Sequence, residues 1–389
     1  MQENRRLMRS PRRVEILLTS RCNLRCRYCS HFSSEADGVA ELPVEGWLAF
    51  FARLREMAVI TLQLSGGEPL LYPDFPRLLA GVVEHRMRFS LNTNGSLVTE
   101  ALARELAATR RCDVVQISLD SATPEAHDRL RGAGTFDTAV RALERLQAAG
   151  VATTVRLTIG KHNVRHLEEA VRFVLDDLGV QTCSTNSAGY LGLCRRHGDE
   201  VMLNVEERML AMRTLGPLKA RYGRRLTALA GPQADLDMWG AMARAAVEGV
   251  HLLPGRGTLC GCNCVWSSIA VRADGVITPC TQLPHFALGR ILQDDLLAIW
   301  QSHPELTAFR ERHRRSLRES PFCRECAYTE VCTGGCPAVA YQHTGDLYAP
   351  DPDSCLRAFL DAGGRLPEAD AVPESVWPGR KDLSHVAVG

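Results

Sequence analysis

Fifteen cysteines set the chemistry of this chain. Cys22, Cys26 and Cys29 stand at C-x3-C-x2-C spacing, with Tyr28 just before the last. Four thiolates complete a tetrahedral zinc site or hold every iron of a cubane iron–sulfur cluster. Three thiolates leave one corner of a cubane open, and an open iron can take a small chelating molecule. A zinc knuckle is the competing account, since His31 lies two residues past Cys29 and is a possible fourth ligand. A second set follows far downstream, as Cys260, Cys262, Cys264, Cys280, Cys323, Cys326, Cys332, Cys336 and Cys355. Two four-thiolate sites need eight of these nine, so one of the close trio 260/262/264 is surplus, and spacing does not say which. Zinc ribbons are the alternative here, because C-x2-C pairs are common zinc spacings. A reducing compartment disfavours disulfides, which leaves metal binding as the better account of so many thiols.

These residues need elements to position them. Directly before Cys22, the apolar, partly β-branched run Val14–Thr19 reads as a strand, so the triad sits on a loop leaving its end. Further strands are expected at Val59–Leu64, Arg88–Asn92, Asp113–Ser118, Ala152–Thr158 and Val180–Thr185. Helical patterns lie between them, near Val44–Met57, Asp74–His85, Thr99–Ala108, Phe136–Ala149 and Val164–Leu178. Six β/α units imply a parallel sheet with right-handed crossovers. They are too few to close an eight-stranded barrel, so the expected fold class is α/β, a partial (β/α)6 TIM-like barrel. A small Cys-rich α+β domain follows it. Chemistry in such barrels gathers on loops at the C-terminal strand ends. The loops that fall there carry Ser65-Gly66-Gly67-Glu68-Pro69, Asn92-Thr93-Asn94-Gly95 and Ser118-Leu119-Asp120. The expected organisation is 1–200 barrel, 201–255 helical bridge, 256–362 auxiliary-cluster domain and 363–389 C-terminal tail.

The triad after strand one, with Gly-Gly-Glu-Pro after strand two, resembles the radical S-adenosylmethionine (radical SAM) superfamily. The downstream cysteines, with Gly275-x4-Cys280 and C-x2-C-x5-C-x3-C, resemble its SPASM extension, found in peptide-modifying members. The resemblance implies that Cys22, Cys26 and Cys29 hold a [4Fe–4S] cluster that binds S-adenosylmethionine. Gly66, Gly67 and Glu68 would hold the SAM amino group, and Asn92 lies on a turn that the family places near SAM. Ser118 and Asp120 match positions that face the ribose and carboxylate. Arg131 matches a recurrent pattern, although Asp120 and Arg131 also suit a helix cap or a surface pair. Arg156 is a further SAM-carboxylate candidate. Two auxiliary [4Fe–4S] clusters are implied. Cys280 and Cys336 would join two of Cys260, Cys262 and Cys264 in one, and Cys323, Cys326, Cys332 and Cys355 would hold the other. Of the remaining thiols, Cys183 and Cys194 are candidate hydrogen-atom donors if they line the substrate cavity; packing is the other account of each.

The implied reaction is reductive cleavage of SAM to a 5′-deoxyadenosyl radical, which removes a hydrogen atom from substrate carbon, with the protein positioning substrate and excluding water. The resemblance points to a ribosomally made peptide substrate and to a crosslink, thioether or epimerisation as product. The alternative is an epimerase or dehydrogenase acting on a sugar or other small natural-product intermediate. A zinc-binding interaction protein is a third, non-enzymatic account. Sulfatase-maturing relatives place an Asp where this chain has Thr281, which argues against that activity. The first strand begins about 13 residues in, so no fused leader-binding domain is expected and a separate partner, or none, recruits substrate. A flavodoxin- or ferredoxin-type electron donor is implied, and the basic runs Arg5–Arg13 and 313–315 offer it a docking field. A net charge of +1 gives no nucleic-acid signature. No apolar run approaches the ~20 residues of a membrane span, and the basic N-terminus lacks a signal core. The expected location is the cytoplasm.

Overall fold

A computed structural model describes residues 7–31, 39–248 and 256–367. Six strands follow the expected order: β1 (Arg13–Leu17), β2 (Thr61–Ser65), β3 (Arg88–Thr93), β4 (Cys112–Ser118), β5 (Thr153–Ile159) and β6 (Thr182–Ser187). Each neighbour pairs in parallel, from β1 beside β2 to β5 beside β6. The crossover helices are α1 (Val44–Glu56), α2 (Phe75–Glu84), α3 (Glu100–Thr109), α4 (Pro124–Arg131) and α5 (Thr135–Ala148). The helix expected over 164–178 is broken into a 3-10 turn, the α-helix Leu167–Arg172 and a π-helical turn over Phe173–Asp177.

Side chains alternate across each strand, and this decides what the barrel contains. Val14, Ile16, Leu62, Leu64, Phe89, Leu91, Val115, Ile117, Val155 and Leu157 are wholly buried in the core with Trp47, Phe50, Phe51 and Leu54 of α1. Burying each large side chain stabilises the layer by roughly 1.5–3 kcal/mol. The other face of the same strands is polar. Asn92, Gln116, Ser118, Arg156, Thr158 and Asn186 point into the barrel and line its chamber. Polar alternation therefore makes a hydrogen-bonding cavity where a closed eight-stranded barrel would have a packed core.

The sheet is larger than six strands. On one edge β7 (Leu226–Ala228) pairs in parallel with β6, so the segment expected to be a helical bridge contributes a strand between the helices Val205–Tyr222 and Pro232–Val247. On the other edge β8 (Ser268–Val271) pairs in parallel with β1, in register Arg13↔Ser268, and leads through Asp274-Gly275 into antiparallel β9 (Val276–Thr278) and β10 (Gly289–Arg290). One ten-stranded sheet thus runs across the boundary expected at 256, in the order β10-β9-β8-β1-β2-β3-β4-β5-β6-β7. Most of the tail, from residue 368, lies outside the described residues. Among the described residues no helix is long and apolar enough to cross a membrane.

Candidate active site

The triad loop leaves β1 and is fastened from two sides. Gly67 N–H donates to Thr19 O at 2.8 Å and Glu68 N–H to Arg21 O at 2.8 Å, so the β2 loop lies flat against the loop that carries Cys22. Gly66 has φ +141°, and a Cβ there would stand 2.5 Å from Thr19 O. At Gly67 a Cβ would meet Arg21 O at 2.2 Å and Cys22 Cβ at 3.1 Å. Only glycine permits this approach. Gly67→Ala is therefore expected to keep the fold but displace the Cys22 loop, lowering SAM cleavage at least tenfold. Assay of 5′-deoxyadenosine beside iron content checks this, and wild-type turnover with full iron would refute it.

Glu68 does not face the chamber. Its carboxylate accepts from Thr93 Oγ1 at 2.7 Å, Asn94 N at 2.8 Å and Leu70 N at 3.2 Å, tying the β2 loop to the β3 loop. Burial pushes its pKa up against those three donors. The β3 loop in turn reaches the triad, as Asn94 Nδ2 donates to Asn23 Oδ1 at 2.9 Å. The Glu68 backbone lies with Gly66 and Gly67 in the loop that meets the triad loop, while its carboxylate holds the β2 and β3 loops together.

Asp120, expected to face the SAM ribose and carboxylate, is corrected: it does not line the chamber and pairs with Arg131 instead. It is wholly buried and accepts from Arg131 Nε at 2.6 Å, Thr158 N at 2.9 Å and the Tyr28 hydroxyl. Burial opposes its charge, but the Arg131 guanidinium prevails and holds the carboxyl well below the usual carboxylate range. Arg131, brought there by α4, lines the chamber with one side of its guanidinium committed to Asp120. Tyr28 lies under Arg131, 5.3 Å from centroid to guanidinium carbon, and stacks on His162 at 5.8 Å. A buried ion pair thus anchors the aromatic residue between Cys26 and Cys29. Arg156 also lines the chamber and donates to Gln116 Oε1 at 3.2 Å, a neutral partner. Of the two arginines, Arg131 has a carboxylate partner and Arg156 a neutral one.

His127 sits beneath this pair. Its Nδ1 accepts from Asp120 N–H at 3.1 Å, which requires the neutral ring, and burial pulls its pKa down to about 4. The unfolded chain binds this proton near pH 6.5 and the folded chain resists it to about 4. Stability therefore falls as pH drops through that window. The His127 share is about 2 kcal/mol between pH 7 and 5. Urea midpoints of the apo protein should fall accordingly, and less so in His127→Leu; equal slopes would remove His127 as the cause.

The triad thiols, Gly66, Gly67, Asn92, Ser118, Arg131 and Arg156 line one chamber of about 510 Å³, together with Cys336. Cys183 and Cys194 are wholly buried and neither lines it. Cys183 packs in the main core, Cys194 in a cluster with Tyr28, Leu130, Ala188 and Val201, and burial pushes both thiols up to about 12. Packing is therefore what the structure shows for both, and the conditional role of hydrogen-atom donor is corrected. Asn186, at the end of the sixth strand, lines the chamber too; sequence reasoning missed Gln282 and Arg208, which nothing local marked.

The downstream thiols gather in two sets. Cys262 and Cys280 both hydrogen-bond to Cys264, which is drawn toward the thiolate, and Cys336 bears electrostatically on Cys262. Cys323, Cys326, Cys332 and Cys355 act on one another as a second set. Cys260 is buried beside the first set, its N–H bound to Thr333 O at 2.9 Å. All fifteen thiols are free of disulfides. Among the described residues no three such side chains converge on one point, as a single ion requires. In a cubane each thiolate takes its own iron. Burial pushes Cys26 up to about 11 and Cys332 likewise, so cluster loading must release protons. Free, half-buried thiols around a glycine cradle fit an iron–sulfur cluster with a chelated ligand.

Comparison with known proteins agrees. A model described as the radical SAM superfamily matches residues 16–174, and one described as SPASM, an iron–sulfur cluster-binding domain, matches 260–327. The mycofactocin maturase MftC of Mycobacterium tuberculosis is 31% identical over 354 residues, covering 88% of this chain and 82% of its own. The PqqA peptide cyclase of Streptomyces rochei is 28% identical over 370 residues, covering 91% and 92%. Among solved structures, Streptococcus suis SuiB bound to precursor peptide SuiA shares the fold at TM-score 0.70 and 17% identity, over 90% of this chain and 77% of its own. The chain is an enzyme of the radical SAM superfamily with a SPASM extension, and its cofactors are a [4Fe–4S] cluster, S-adenosylmethionine and auxiliary iron–sulfur clusters.

Proposed function

We propose that this enzyme modifies a peptide. The observation that carries the reading is the alignment with MftC, named a maturase, across nearly the whole chain at 31% identity. When bound, the open cluster supplies the electron that cleaves SAM and so generates the hydrogen-abstracting radical. The chain's own part is positional. We assign Cys22, Cys26 and Cys29 to the SAM-binding cluster, and the Gly66-Gly67 backbone to the SAM amino group. Arg156 meets the carboxylate, and Ser118 and Asn92 complete the chamber wall. Asp120 fixes Arg131 and Tyr28. Cys262, Cys264, Cys280 and Cys336 form one auxiliary set and Cys323, Cys326, Cys332 and Cys355 the other, leaving the exchange of Cys260 into the first set open to mutation. A flavodoxin- or ferredoxin-type protein supplies electrons, and the enzyme works in the cytoplasm, where its thiols stay reduced.

The test is 5′-deoxyadenosine formation by anaerobically reconstituted enzyme, with and without the short peptides encoded beside its gene. Stimulation and a mass change on one peptide are expected. A flat response to every peptide, with turnover of a small natural-product intermediate instead, would replace this reading.

A further inference from the structure

The SAM chamber has a neighbour. A second chamber of about 380 Å³ lies between the barrel mouth and the auxiliary domain. The two share a wall made of Ser30, His31, Gly66, Gly67, Leu191 and Gln282. Gln282, two residues past Cys280, bridges that wall, since its Nε2 donates to Ser30 Oγ at 3.3 Å, one residue past Cys29. Its Oε1 is buried and accepts no hydrogen bond. Buried amide oxygens are ordinarily satisfied, so a lone one between two chambers marks where an incoming N–H is missing.

Among its described lining residues the outer chamber has one sign of charge. Arg195 and Arg272 line it, and among its described lining residues there is no Asp or Glu. Arg272 is held by Asp274 at 2.9 Å and Pro284 O at 2.9 Å, and its Nε is buried without a partner. Arg195 is not neutralised. Its Nη1 donates to Gln342 Oε1 at 2.8 Å and its guanidinium lies 5.5 Å from the Tyr190 ring centroid, both uncharged partners that hold it in place. Arg195 and Arg272 carry the positive charge of its described lining. The inner chamber differs, because Asp351 and Asp353 line it beside Arg131, Arg156 and Arg208.

We propose that the outer chamber binds a carboxylate-bearing segment of the peptide substrate. Arg195 is its charge partner, and Gln282 Oε1 accepts a backbone N–H where the chain passes to the SAM chamber. This rests on the peptide-modifying reading above. A guanidinium holds a carboxylate through paired N–H donors, which an ammonium cannot copy.

The experiment uses the reconstituted holoenzyme and the peptides encoded beside its gene, each also made amidated with Asp and Glu changed to Asn and Gln. The readout is the peptide concentration that half-saturates 5′-deoxyadenosine formation. The neutralised form is expected to need roughly ten- to hundredfold more peptide. Arg195→Glu should erase that preference and favour a form bearing Lys at the acidic positions, whereas Gln282→Leu should weaken acidic and neutral forms alike. Equal response of wild type to acidic and neutralised forms overturns the proposal and leaves peptide modification standing. So does an Arg195→Glu enzyme that still prefers the acidic form. No stimulation by any peptide overturns both.

Discussion

Anaerobically reconstituted wild-type enzyme carries about twelve irons per chain, and the Cys22/Cys26/Cys29→Ala enzyme about eight, with no detectable 5′-deoxyadenosine. This is the largest effect expected of any substitution here, because removing three ligands removes the cluster assigned to SAM. The auxiliary sets should survive, since none of their thiols lies on the triad loop and their backbone is held elsewhere. Gly257 N–H, for example, donates to Cys332 O at 2.9 Å, and Cys336 N–H to Asp351 Oδ2 at 3.0 Å. Iron analysis and product assay on the same preparation decide it. Zinc in place of iron, or cleavage persisting in the triple variant, would sink the assignment at its root.

Asp120→Asn loses about 3–5 kcal/mol of stability, the usual result of stranding one member of a buried ion pair. Arg131 and Asp120 have side chains 7% and 1% exposed, so solvent cannot replace the lost charge. The same change turns one of the two acceptor oxygens into an NH2 donor, so one side of the carboxylate, carrying either Tyr28 and Arg131 Nε or Thr158 N and Arg131 Nη2, loses its acceptor. The loss should therefore extend to the loop between Cys26 and Cys29, and SAM cleavage should fall along with the urea midpoint. An Asp120→Asn/Arg131→Met double variant recovers part of the loss, because neither charge then remains unpaired. A single variant no weaker than a surface substitution would show that the pair is not the anchor described.

The contrast between these two sites explains what the sequence could say. The cysteines were legible because a cluster demands a fixed ligand type at close spacing. The six strands were legible because buried and polar residues alternate along them, as in Val14/Glu15/Ile16 and Leu91/Asn92/Thr93. A motif, however, fixes a place along the chain and not a direction. Glu68 and Asp120 stand in the expected loops, yet their carboxylates turn toward Thr93 and Arg131, partners far off in sequence. Cys183 could have been placed better, because its parity on β6 puts it with Thr185 on the helix side, opposite Asn186. Three-residue β7 lacks enough pattern to be seen. Gln282 and Arg195 meet at a chamber wall only after the auxiliary domain has docked.

The pairing of β8 with β1 bears on how the chain is made. β1 is finished by Leu17, but the strand that covers its outer edge begins at Ser268. At ~5–20 residues per second, a ribosome takes on the order of tens of seconds to bridge that interval. Throughout it β1 has one uncapped row of backbone N–H and C=O groups, the kind of edge that recruits other strands, and after β6 the rest of the barrel stands beside that open edge. Truncation before β8 should therefore yield aggregates, not a small soluble barrel, and slowing translation late in the message should lower the yield of this enzyme more than slowing it early.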